Sequence, residues 1–127
     1  MEFSEISEYV DGILEVFREN DAPVDPLPKF VLDDSPQNDG PFVKTGFYDP
    51  DSKTVVVYTN GRHLKDILRT VSHELVHHSQ NLVNGDLLGS ENTTGPIVTN
   101  PELMSIEGDA YLRGNVYFRE WTEKHTF

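Results

Sequence analysis

The sequence predicts an α+β fold: an N-terminal helix, a small twisted β-sheet, a long central helix and a C-terminal helix. Three observations carry this. Apolar residues recur at helical spacing over 4–20 and again over 62–83. Between them lie two β-rich runs, 43–48 and 54–59, joined by Asp49-Pro50-Asp51-Ser52-Lys53, which reads as a hairpin. Downstream, Asn100-Pro101-Glu102 supplies a capping Asn, a Pro at the first helical position and an acid in the first turn. The 127 residues suit a single domain, 1–127, with one core.

In the first helix Ser4 is the expected N-cap, and Ile6, Val10, Ile13, Leu14 and Phe17 form the buried stripe. Asn20-Asp21-Ala22-Pro23 stops it, and Pro23, Pro26 and Pro28 mark an extended connector. Lys29 to Leu32 is a short strand, followed by a polar loop from Asp33 to Pro41. Three consecutive valines, Val55 to Val57, predict a strand buried in part on both faces. The central helix runs from about Arg62 to Val83, with Leu64, Ile67, Leu68, Val71, Leu75 and Leu82 as its apolar residues. Residues 84–100 are loop, a wall or lid of any cleft nearby, and the last helix ends near Trp121, a core residue.

Composition excludes several classes. Cysteine is absent, so disulfides, thiol catalysis and thiolate metal sites are ruled out, and any metal must use imidazole and carboxylate. The net charge of −12 argues against nucleic-acid binding, which needs a basic surface. Most of it sits in residues 1–60, net −9, against −3 for 61–127. That acidity serves solubility, or attraction of a basic partner. Apolar runs are too short for a membrane helix. The acidic, amphipathic start is unlike a signal peptide, so a cytoplasmic setting is expected.

The central helix contains His73-Glu74-Leu75-Val76-His77. Two histidines at i and i+4 share one helical face, and their imidazoles can converge on a zinc ion about 2.0–2.1 Å away. They fall opposite the Leu64, Leu68, Val71, Leu75 stripe, so one face is expected to pack on the sheet and the other to look into a cleft. Glu74 is placed to reach a water on that zinc as general base. A catalytic zinc needs a third protein ligand and an open fourth position. Downstream acids and histidine are Glu102, Glu107, Asp109, Glu120, Glu123 and His125. Glu107 is the best choice, because Ala110 and Gly114 at i+3 and i+7 let its helix come close to a neighbour. Glu102 is explained by the helix dipole. Asp109 suits a role orienting a ligand histidine. Donors for a developing oxyanion are Tyr111, Tyr117, Arg113, His78 and His125, of which Tyr111, one turn after Glu107, is placed to lean toward the metal. His78 reads better as a structural histidine, and Asp66 and Thr70 as cleft wall or support for the ligand histidines. A third histidine at position 83 is absent, since that residue is Val83.

Residues 66–80, with His73-Glu74-Leu75-Val76-His77 at their centre, resemble the active helix of small gluzincin-type zinc metallopeptidases. Ile106-Glu107-Gly108-Asp109-Ala110-Tyr111 is similar to their glutamate-ligand helix. The nearest likeness is to compact metallopeptidases of tailed bacteriophages, and more distantly to ImmA/IrrE and SprT-like minimal zincins. It covers roughly residues 43–121. It implies a zincin-like fold, one Zn2+ per chain held by His73, His77 and Glu107, Glu74 as general base, and a protein or peptide substrate. Larger gluzincins carry an orienting Asp four residues after the ligand Glu. Here that position is Tyr111, and the nearby acid is Asp109. Two other readings use the same residues: a non-catalytic scaffold that binds a partner around a structural zinc, or a zinc amidase acting on a cell-wall cross-link.

Overall fold

A computed structural model describes residues 1–36, 45–84 and 101–124, with side chains at all of these except 84 and 101–104. The order is α1 (Phe3–Glu19), β1 (Lys29–Asp33), β2 (Gly46–Asp49), β3 (Thr54–Tyr58), α2 (Leu64–Asn84) and α3 (Pro101–Lys124). The fold is α+β, as the sequence predicts. Expectations for the Asp33–Pro41 loop beyond residue 36, for the start of the 43–48 strand, for the 84–100 wall or lid and for the Asn100 cap lie outside the described residues.

Helix α1 begins earlier than Ser4. Its N-cap is Glu2, whose backbone N–H donates to the Glu5 carboxylate at 2.6 Å. That bond satisfies one of the orphan amides of the first turn and draws Ser4 inside the helix. Ile6, Val10, Ile13, Leu14, Val16 and Phe17 are buried. The chain leaves the helix through Asn20, whose side chain donates back to the Val16 carbonyl, and through Asp21 at φ 58°.

The sheet order is β1-β3-β2, parallel between β1 and β3 and antiparallel between β3 and β2. The consecutive valines do not bury both faces. Val55 and Val57 are fully buried, whereas Val56 is only partly covered. In register beside Val56 lie Val31 and Phe47, both exposed. Strand side chains alternate and helices cover one face, so a β-branched run does not by itself imply two buried faces.

Helix α2 lies at the centre of the fold, against the hairpin strands on one side and α3 on the other, with α1 touching it more lightly. Two devices seat it on the sheet. At its start the half-buried Arg62 donates to the carbonyls of Thr45, Tyr58 and Asp66 and to the Thr70 hydroxyl, at 2.7–3.0 Å. Gly46 is needed opposite, because a Cβ there would lie 2.6 Å from the Val56 carbonyl oxygen and 2.8 Å from Thr70 Cγ2. Asp66 pairs with Arg69 in solvent. Asp66 and Thr70 therefore belong to the helix–sheet joint and not to a cleft wall.

Toward the other end, His78 is fully buried. Its Nε2–H donates to the Pro26 carbonyl at 2.8 Å, which leaves Nδ1 to accept the Tyr48 hydroxyl at 2.8 Å. The structural reading of His78 holds. Burial holds this imidazole below its ordinary range, opposed by its bonds to the connector carbonyls. The unfolded chain therefore takes up the proton first, and stability from this residue is lost as pH falls below about 6.5. A His78→Gln variant is expected to be less stable at neutral pH. It should also show a flatter fall of its unfolding free energy on acidification below about pH 6.5. Parallel pH profiles for the two proteins would overturn this.

Trp121 is fully buried, edge-on to Tyr9 and beside Phe118. Helix α3 continues one turn past it to Lys124, which pairs with Glu19 of α1 at 2.7 Å. Among the described residues, no helix is long and apolar enough to cross a membrane.

Candidate metal centre

The crossing of α2 and α3 is close because small residues line it. Ala110 is fully buried, and a Cβ on Gly114 would lie 3.0 Å from the His73 Cα. The Ser72 hydroxyl, also buried, donates to the Gly114 carbonyl at 2.8 Å and ties the two backbones together. As expected from Ala110 and Gly114, Glu107 is carried to the histidine face of α2. Its Oε1 lies 2.8 Å from His77 Nε2 and its Oε2 lies 3.4 Å from His73 Nε2.

The histidine face is not an open cleft wall. α3 covers it, so that His77 and Glu74 are buried and His73 retains 18% of its side-chain exposure. The imidazoles of His73 and His77 stand 5.1 Å apart, centre to centre, edge to face. Glu74 Oε1 is 3.7 Å from His73 Nε2. Ligand atoms of His73, Glu74 and His77 all lie within 4.8 Å of one another, and these three side chains could hold a metal ion. Glu74 Oε2 is buried and has no hydrogen-bond partner in the protein. A partnerless buried carboxylate oxygen costs free energy, so this donor set fits a cation or a polarised water at that position.

Electrostatics separate the two carboxylates. Burial pushes Glu74 upward; the charges of His77 and His73 oppose this, and that of Glu107 adds to it. Burial also pushes Glu107 upward, but its bonds and charge contacts with His73 and His77 win and hold it at about 2. Burial pulls His77 down, yet the Glu107 bond, the charges of Glu74 and Glu107 and a bond to Gln80 hold it above the ordinary imidazole range. One carboxylate is thus firmly ionised while its neighbour is tuned toward taking a proton.

No family model, curated protein or solved structure matches this chain.

Tyr111 stands beside His73. Its ring is 4.5 Å from that of His73, and 60% of the residue is exposed. Asp109 is near but reaches His77 only through Gln80. Its Oδ2 accepts from Gln80 Nε2 at 2.8 Å, and Gln80 Oε1 faces His77 Nδ1 at 2.9 Å. Sequence reasoning missed Gln80. The available signal was its spacing, three residues after His77 and so on the same side of the helix.

Arg113 is engaged by Asp109 through a two-pronged contact at 2.9 and 2.6 Å, and Tyr117 packs edge-on against Phe17. Neither faces the histidine pair as a free donor. Glu120 accepts from Asn20, and Glu123 pairs with Arg119, which removes both from the ligand candidates. The Glu102 side chain and His125 lie outside the described residues.

Proposed function

We propose that the chain is a zinc-dependent metallopeptidase of the minimal zincin kind, in which His73, His77 and Glu107 hold the metal and Glu74 is the general base. The observation that carries this reading is the gathering of ligand atoms from His73, Glu74 and His77 within 4.8 Å of one another, with Glu74 buried and its Oε2 left without a hydrogen-bond partner. A purely structural zinc site would have no use for that second carboxylate, because structural sites are closed by their ligands alone. Glu107, held ionised by the two histidines, supplies the third ligand from the neighbouring helix.

When bound, zinc would supply a Lewis acid that makes water more acidic and polarises a carbonyl. The chain's own residues do the rest. Glu74, its proton affinity raised by burial, receives the proton of the attacking water at its carboxylate and delivers it to the departing amine. Tyr111, exposed at the lip of the site, offers its hydroxyl to the oxygen of the scissile carbonyl. The substrate class that suits this chemistry is a peptide bond in a protein or peptide.

Elemental analysis of the purified chain is expected to give about one zinc per molecule, together with metal-dependent cleavage of an unfolded protein substrate. Zinc bound with no cleavage of unfolded proteins, but with cleavage of cell-wall peptide fragments, would move the substrate to that amide. Failure to take up zinc even on addition overturns the reading.

A further inference from the structure

We propose that Gln80 is the positioning residue of this centre: clamped by Asp109 and Ile106, it holds a proton of His77 on Nδ1 and so leaves Nε2, the nitrogen that faces Glu107, as the atom that exchanges its proton for the metal. The inference rests on the metal-centre reading above.

Gln80 is buried. Its amide nitrogen has two hydrogens and meets two acceptors, Asp109 Oδ2 at 2.8 Å and the Ile106 carbonyl at 3.1 Å. A carbonyl can only accept. The Asp109 carboxylate, gripped by the two-pronged Arg113 contact at 2.9 and 2.6 Å, accepts as well. The amide therefore cannot flip without facing two acceptors with its oxygen. Gln80 Oε1 is thereby fixed toward His77 Nδ1 at 2.9 Å, and an amide oxygen requires a hydrogen on that nitrogen. The opposite nitrogen, Nε2, is the one that faces Glu107, at 2.8 Å. Residues 80, 109 and 113 thus form a single relay, running from α3 to the metal-facing imidazole on α2.

The test measures zinc affinity by chelator competition, beside long-range 15N–1H NMR of the histidine rings. Gln80→Ala is expected to bind zinc about 10–100-fold more weakly, with the protected Nδ1–H signal of His77 lost and the metal-free circular dichroism unchanged. Gln80→Glu alone keeps the acceptor for His77 but sets one carboxylate against another. Gln80→Glu with Asp109→Asn restores a donor between them, and should recover most of the affinity and the Nδ1–H signal. Should Gln80→Ala fail to fold, this single-against-double comparison carries the test. Gln80→Ala binding zinc as tightly as wild type, with the His77 signal intact, overturns the role of Gln80 and leaves the metal centre standing. Wild-type protein that binds no zinc overturns the centre, and this inference with it.

Discussion

Glu74→Gln is expected to reduce hydrolysis by at least about 10²–10⁴-fold, the range that a positioned general base contributes, while zinc content stays at the wild-type level. The amide keeps the shape of the side chain and cannot take a proton at the operating pH. The ligands proposed for zinc, His73, His77 and Glu107, remain in place. A second effect should accompany the first. The Glu74 carboxylate is buried with one partnerless oxygen, and burial disfavours its charged form. Replacing it with a neutral amide removes that cost at neutral pH, so the metal-free variant is expected to melt at or above the wild-type temperature. Loss of activity with gain of stability is the usual signature of a strained functional residue. The measurements are turnover of an unfolded protein substrate, zinc per chain and thermal unfolding. Undiminished turnover would remove Glu74 from the mechanism.

Glu107→Ala is expected to weaken zinc binding by more than about 100-fold, beyond the 10–100-fold typical of residues that only orient a ligand. Glu107 is the side chain that α3 brings within 2.8 Å of His77 Nε2 and 3.4 Å of His73 Nε2. Without it two imidazoles remain, and a catalytic zinc normally has three protein ligands. The metal-free protein should also lose stability, because two histidines lose their carboxylate. Chelator competition and elemental analysis check the first effect, denaturant titration the second. Full zinc occupancy in this variant would transfer the third ligand position to another carboxylate, with Glu74 the nearest by geometry.

Much of the fold was legible because its elements carry their own periodicity. The stripes of α1 and α2, the hairpin around residues 49–53 and the start of α3 at Pro101 are local signals, and local geometry obeys them. The misreadings came from tertiary context. The three valines of β3 looked buried on both faces, but helices cover only one side of the sheet. The Ser4 cap gave way to Glu2 because the Glu5 side chain reaches back to an earlier amide.

The candidate centre divides in the same way. His73, Glu74 and His77 stand one helical turn apart at most, so the sequence by itself determined that they share a face and could meet at a metal. Glu107 was also legible, through the small residues Ala110 and Gly114 that permit close helix packing. The tertiary structure alone decided which acids are engaged elsewhere, as Glu120 is with Asn20. It also decided that α3 roofs the histidine face, and that Asp109 reaches His77 only through Gln80. The physical reason is directional. A period in the sequence fixes which residues share a face. Hydrogen-bond partners between α2 and α3 depend on the depth and register of two packed helices, which only the folded chain sets.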